Sequence, residues 1–253
     1  MKRKPRRIVL YSGGQERRNA LIHETLLDLA MRRGAGRFAR RSNRSSGQGP
    51  SGVRMTYMPY TCQGALPFFR RFERRYRAYG AAQFYCVAAD DPQMMENKTA
   101  SRAAGATINA SDIVYLAGGN TYHFLAHLRR SGLLEVLARF ADRGGVVAGL
   151  SAGALILTPH IALAGYPSFD ADENEPGLSR QQCKGLGLVN FEFFPHYRRS
   201  TRYRDALTRY SQKNRKPVYA CTDGSGIVVE GDRFTAHGEV WRFHAGQVSK
   251  IGA

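Results

Sequence analysis

One serine in this chain stands where a hydroxyl could act as a nucleophile. In Val146-Val147-Ala148-Gly149-Leu150-Ser151-Ala152-Gly153-Ala154 an apolar run ends at a glycine, presents Ser151, and passes through small residues into a new apolar segment. That is the pattern of a buried strand turning sharply into a helix, with the hydroxyl lifted to the edge of a sheet. Gly149, Ala152 and Gly153 suit such a turn, because backbone passes close to backbone there. A serine hydroxyl is a poor nucleophile near neutral pH. It needs a base to take its proton, an acid to orient that base, and N–H donors for the oxyanion.

His196 is the best-placed base. It follows the apolar run Leu188 to Phe194 and Pro195, so it is expected at the carboxyl end of a strand. His23, His123 and His127 fall in helical patterns, His160 follows the elbow helix, and His237 and His244 lie in the tail. Three carboxylates compete for the acid. Asp223 ends a buried strand ahead of Gly224-Ser225-Gly226 and is preferred; Asp170 and Asp172, in an irregular acidic stretch, are its rivals, and a site with no charged third member stays open. The oxyanion donors would be the backbone N–H of Ala152 and that of Gly119, whose pairing with Gly118 lets the chain approach a reacting carbonyl. Gly118-Gly119-Asn120-Thr121 also reads as a plain turn, with Asn120 or Thr121 capping the next helix.

These residues need strands and helices in alternation to bring them together. Strands are expected at Arg7 to Tyr11, Val53 to Tyr60, Gln83 to Ala88, Asp112 to Ala117, Val146 to Gly149, Leu188 to Phe194 and Pro217 to Cys221, with short strands from Gly226 onward. Helical spacing marks Asn19 to Arg33, Pro67 to Tyr79, part of Ala100 to Gly105, Tyr122 to Arg130, Leu133 to Arg143, a segment from Ala152 to Pro159, and Ser200 to Asn214. The alternation argues an α/β fold with a doubly wound, mostly parallel sheet, whose sites form at the carboxyl ends of strands. That rule selects the loops at Gly118 to Thr121, Ser151, His196 and Asp223. The chain reads as one domain over 1–253, with Gly34 to Gly52, rich in Arg, Ser and Gly, as an exposed, mobile insertion.

Composition bounds the partners. An apolar content of 43% over 253 residues supports a sizeable core. No segment is apolar for long enough to cross a bilayer, and Ile8 to Tyr11 is too short for a signal-peptide core, so a cytoplasmic protein without a membrane partner is expected. Cys62, Cys86, Cys183 and Cys221 are widely spaced, which fits idle thiols in a reducing compartment and no metal site. Lys plus Arg number 38 against 20 acids, a net charge of +18, and the first fifty residues hold thirteen of those bases and three acids. Such an excess attracts polyanions or acidic substrates, or simply sits in solvent. No aromatic-basic signature stands out, so nucleic acid is not expected as a partner. The oligomeric state is open, a homodimer included.

Taken together, Leu116-Ala117-Gly118-Gly119-Asn120-Thr121, Gly149-Leu150-Ser151-Ala152-Gly153-Ala154 and Phe194-Pro195-His196-Tyr197 resemble the dipeptidase E and cyanophycinase family of serine peptidases, over roughly residues 7 to 230. The resemblance implies a three-layer fold like that of class I glutamine amidotransferases (flavodoxin-like), with Ser151 as nucleophile, His196 as base, and Gly119 and Ala152 at the oxyanion. Asp223 falls where aspartyl dipeptidase has a glutamate. Amidotransferases carry cysteine at the elbow and a His-x-Glu pair, whereas this chain has Ser151 and His196-Tyr197-Arg198, which argues against glutaminase activity. The resemblance also implies substrate contacts from Asn120, Thr121 and Arg202, the arginine suited to clamp an acidic side chain, with Arg198 and Arg199 beside it. The expected activity is hydrolysis of short peptides, with N-terminal aspartate a candidate, through an acyl-enzyme on Ser151 and without metal or organic cofactor. A related amide or isopeptide hydrolase of the cyanophycinase kind, and a noncatalytic basic binding module, are the alternatives.

Overall fold

Strands whose side chains are buried on both faces need a covering layer on each side, and the central strands of this chain are of that kind. The computed structural model describes residues 5–13, 17–41, 52–93 and 97–252. Five parallel strands form the centre: β1 (Arg7–Tyr11), β2 (Val53–Met58), β3 (Ala81–Cys86), β4 (Ile113–Leu116) and β5 (Val146–Leu150). With β8 (Gly226–Glu230) and β9 (Arg233–His237) they make a seven-stranded sheet in the order β3-β2-β4-β5-β1-β8-β9, in which β8 runs antiparallel to β1. Strand periodicity splits β1 and β4 between two cores: Ile8, Leu10, Val114 and Leu116 join one, Val9, Tyr11, Ile113 and Tyr115 the other.

The second of those cores is closed by α1 (Ala20–Arg41) and α2 (Ala65–Ala78), through Ile22, Leu26, Leu29, Phe72 and Tyr76. The first is closed by α3 (Lys98–Ala110), α4 (Thr121–Arg130), α5 (Leu133–Asp142) and the short α6 (Ala152–Leu157). Beyond them lie α7 (Thr201–Lys213) and a four-stranded sheet in the order β11-β10-β7-β6, made of β6 (Glu192–Phe194), β7 (Val218–Cys221), β10 (Val240–His244) and β11 (Gln247–Lys250). The result is helices on both faces of a mostly parallel sheet, the three-layer architecture expected.

Three features differ from expectation. Helix α1 does not stop at Arg33 but continues through Gly34-Ala35-Gly36 to Arg41. Glycine costs only about 1 kcal/mol per residue in a helix, a penalty that good helix formers around it can absorb. The remainder of the expected insertion, 42–51, lies outside the described residues. The strand before His196 is three residues rather than seven, because Leu186 and Leu188 give their N–H groups to Ile156 and Leu157 carbonyls at the end of α6 (2.7 and 2.9 Å). Finally, the strands leading to His196 and Asp223 belong to the second sheet: β6 and β7 pair in parallel there, and the turn at Thr222 to Ser225 hands the chain back to β8 in the first.

Within β6, the Glu192 side chain is nearly buried and accepts a 2.6 Å hydrogen bond from the Tyr210 hydroxyl. Burial pushes its carboxyl pKa up in spite of that bond. The native state therefore holds the proton more tightly than the unfolded chain, and stability falls as pH rises through the native range. Glu192→Gln keeps an acceptor for Tyr210 and removes the titration. Its thermal midpoint is expected to fall less than the parent's between pH 5 and pH 8 in parallel melts; an equal fall would show that Glu192 is not the group responsible.

Candidate active site

The turn after β5 is held open by what it lacks. A side chain at Gly149 would overlap the Gly153 backbone, and one at Gly153 would overlap the Leu116 carbonyl, so α6 can pack directly onto β4 and β5 only with glycine at both places. Between them Ser151 has φ 51° and ψ −110°, a conformation that costs a non-glycine residue on the order of 1–3 kcal/mol. Backbone bonds fix it there: Ser151 N–H to the Tyr11 carbonyl (2.9 Å) and Gly153 N–H to the Ala117 carbonyl (3.1 Å). Its hydroxyl consequently points out of the sheet's carboxyl edge, into a cleft of about 490 Å³.

Across that cleft the His196 Nε2 lies 2.9 Å from the Ser151 Oγ, and its Nδ1 lies 2.6 Å from an Asp223 carboxylate oxygen. An N–H at Nδ1 directed to the carboxylate leaves Nε2 as acceptor for the serine proton. His196 too has a positive φ, 55°. It is tied by its own N–H, which donates to the Ser12 Oγ at 2.7 Å, while the wholly buried Ser12 hydroxyl donates to the Cys221 carbonyl at 2.8 Å. Ser12, at the end of β1, thereby joins the segments that carry the histidine and the aspartate. The next residue, Gly13, admits no side chain: a Cβ would overlap the His196 ring and come within 2.7 Å of the Asp223 carboxylate. Gly13 also accepts the Gly224 N–H (2.9 Å), which draws the Asp223 turn inward. The aspartate therefore reaches the imidazole although it is one methylene shorter than a glutamate.

The rival acids lie elsewhere on the wall. Asp172 accepts the Thr121 N–H (2.8 Å), and Asp170 accepts the Tyr203 hydroxyl (2.8 Å). Burial, together with that bond to Asp170, pushes the Tyr203 phenol above its ordinary pKa and keeps it a donor. Both carboxylates line the cleft, but neither has a described hydrogen bond to His196. Gly119 lines the cleft as well, with φ 145° and the Tyr60 ring packed where a side chain would go. Ala152 opens α6, so its N–H has no acceptor within the helix.

Two expected substrate contacts are engaged otherwise. The Asn120 side chain caps α4, accepting the His123 N–H at 3.0 Å, and donates to the Glu173 carbonyl at 3.0 Å. The Arg202 guanidinium stacks 3.5 Å from the centroid of the Phe169 ring and does not line the cleft. The arginine on the cleft wall is Arg198; Thr121 lines the cleft as expected. In the sequence Ser12 and Gly13 carry one signal only, small residues at the carboxyl end of the first strand, where the sites of such a sheet form. Among the described residues no group of three or more His, Cys, Asp and Glu side chains could hold a metal ion.

The family model of peptidase family S51 matches residues 46–237. The chain belongs to peptidase family S51. It is a serine-type peptidase. Peptidase E of Streptomyces coelicolor is 27% identical over 199 residues, 75% of this chain and 73% of that protein. An uncharacterized peptidase of Listeria monocytogenes is 28% identical over 128 residues, 49% of this chain and 59% of its own length, so this second match spans under two thirds of its relative. Among solved structures, a peptidase from an acI-B1 Actinobacterium superposes with a TM-score of 0.63 at 17% identity, covering 98% of this chain and 95% of that one. A Listeria monocytogenes EGD-e protein gives 0.61 at 18%, covering 92% and 98%. At such identities the likeness shows the fold, which is that of the class I glutamine amidotransferases.

Removing the Ser12 hydroxyl leaves the His196 N–H without its acceptor inside the protein, a loss on the order of 1–3 kcal/mol. Since the lost bond fixes the backbone that carries the imidazole, Ser12→Ala is expected to lower kcat roughly tenfold to a hundredfold with KM little changed. Steady-state kinetics beside a thermal melt check this. A variant that melts early but turns over normally at low temperature would reduce Ser12 to a structural role.

Proposed function

We propose that this S51 peptidase cleaves dipeptides and other short peptides through Ser151 as nucleophile, with His196 as general base and Asp223 as the acid that orients it. The observation that carries the reading is the unbroken relay of Ser151 Oγ to His196 Nε2 at 2.9 Å and Nδ1 to Asp223 at 2.6 Å. Ser151 Oγ attacks the scissile carbonyl carbon as its proton passes to Nε2. The carbonyl oxygen becomes an oxyanion that accepts hydrogen bonds from the Gly119 and Ala152 N–H groups. As the C–N bond breaks, the Nε2 proton goes to the leaving amine. Water, deprotonated by the same nitrogen, then releases the acyl group. Asp223 stays ionised and stabilises the imidazolium in both halves.

The cleft wall supports a short, acidic substrate. Asp170 and Asp172 place carboxylates where a free α-ammonium group can be held, which favours cleavage near a peptide's amino terminus. Arg198 brings a guanidinium into the same cleft, suited to a carboxylate side chain such as that of N-terminal aspartate. The four free thiols fit a reducing cytoplasm.

Labelling with a fluorophosphonate and mapping the modified residue tests the chemistry. Modification at Ser151, lost in Ser151→Ala together with hydrolysis of Asp-Leu, is the expected result. Modification of another residue, or an undiminished Ser151→Ala enzyme, would sink the assignment. For specificity, Arg198→Ala is expected to lower kcat/KM on Asp-Leu about a hundredfold, the scale of one lost charge-assisted contact, and to change Asn-Leu far less. Arg202→Ala is expected to stay within about threefold of the parent on both. The reverse ranking would return the substrate clamp to Arg202.

A further inference from the structure

We propose that the corner formed by the first turns of α1 and α2 docks the protein onto an anionic lipid surface. A groove of about 920 Å³ runs from there along the length of α2, lined by Arg17, Leu66, Arg70, Arg74 and Tyr79 among others, none of them acidic. It shares no lining residue with the catalytic cleft. Helix α2 carries five arginines and one acid, Glu73, which Arg77 already holds at 2.6 Å. Two of those arginines, Arg70 and Arg74, are one turn apart and exposed, so their guanidinium groups can meet neighbouring headgroups.

Charge alone would not choose the partner; the apolar residues do. Leu21, Leu66 and Phe68, at 59%, 56% and 59% exposed, are the most exposed large apolar residues among those described, and all three sit in the first turns of these two helices. Deeper along α2, Phe72 and Tyr76 are the buried residues that anchor the helix to the core. Leu66 and Phe68, two positions apart, flank the exposed arginines on either side of α2, with the Arg71 guanidinium 5.5 Å from the Phe68 ring centroid. A single-stranded nucleic acid or an acidic peptide would engage the arginines and leave Leu21 and Leu66 in water. The interface of an anionic bilayer offers a partner to each, phosphates for the guanidinium groups and acyl chain for Leu21, Leu66 and Phe68. Glu24 and Asp28, the exposed acids of α1, lie one and two turns further along that helix from Ala20 at the groove. No helix among the described residues is long and apolar enough to cross a membrane, so the contact is at the surface.

Co-sedimentation of the full chain with vesicles tests this, comparing phosphatidylcholine alone with phosphatidylcholine containing about a third phosphatidylglycerol, at low and high salt. The expected result is binding to the anionic vesicles only, weakened by salt. Arg70→Glu with Arg74→Glu, and separately Leu66→Ser with Phe68→Ser, should each weaken it at least tenfold. Arg209→Glu with Arg233→Glu, exposed elsewhere, should leave it within twofold. Thermal melts confirm that each variant is folded. Failure to bind the anionic vesicles overturns the proposal. So does equal weakening by the distant arginine pair, which would assign binding to the overall charge of +18. A Leu66/Phe68 variant that binds the vesicles like the parent overturns it as well, and a labelled oligonucleotide bound more tightly than vesicles overturns it in favour of nucleic acid.

Discussion

The hydroxyl of Ser12 is the point on which the site turns. The seven-stranded sheet supplies Ser151, and the four-stranded sheet supplies the segments that end in His196 and Asp223. A misplacement on the order of 1 Å costs such a relay about a hundredfold in rate, and burial, being non-directional, does not by itself set the register of two sheets. Ser12, buried at the end of β1, bonds to both incoming segments at once, accepting from the His196 N–H and donating to the Cys221 carbonyl. Its own N–H donates to the Ser225 carbonyl (3.1 Å), closing the far side of the Asp223 turn. Directional bonds at one buried residue thus set a registry that non-directional burial could not.

The same corner stores strain. Among the described residues three non-glycines take a positive φ: Ser151, His196 and Ala245. The first two are the proposed nucleophile and base, and each is pinned by a backbone N–H bond to the end of β1, Ser151 to the Tyr11 carbonyl and His196 to Ser12. A conformation that an isolated chain would leave is kept because the apolar core on both sides of β1 holds the partner groups still. The geometry of this pair is a consequence of a central strand buried from Ile8 to Tyr11, and loops merely deliver the side chains to it.

Much of this was legible in the sequence because it has local causes. Periodicity located the strands and helices of the first sheet, and the small residues around Ser151 announced a turn in which backbone meets backbone. His196 and Asp223 could be placed at strand ends from their apolar runs alone. What the sequence did not disclose depends on contacts distant along the chain. Nothing local in Glu192-Phe193-Phe194 says that it joins a second sheet, and the mostly apolar Leu188 to Phe191 looks like strand until the Leu188 N–H is seen to go to the Leu157 carbonyl at the end of α6. Arg202 and Arg198 are equally basic in the sequence; only the Phe169 ring, which stacks on one, separates them. Nothing local marks Ser12, because the two partners of its hydroxyl are 184 and 209 positions away.

The short acid and the bare glycine opposite it form one solution. Asp223 reaches the imidazole because its turn is drawn in by the bond from Gly224 to the Gly13 carbonyl, and that bond can form only because Gly13 has no side chain to meet the His196 ring. A glutamate at 223 would need room for one more methylene between the turn and the ring, which the close approach of Gly13 has removed. The two positions are therefore coupled: a longer acid fits a site whose first loop stands further back, and an aspartate fits one where glycine lets it close. In this chain the carboxylate is delivered to Nδ1 by the closeness of a loop and not by the length of a side chain.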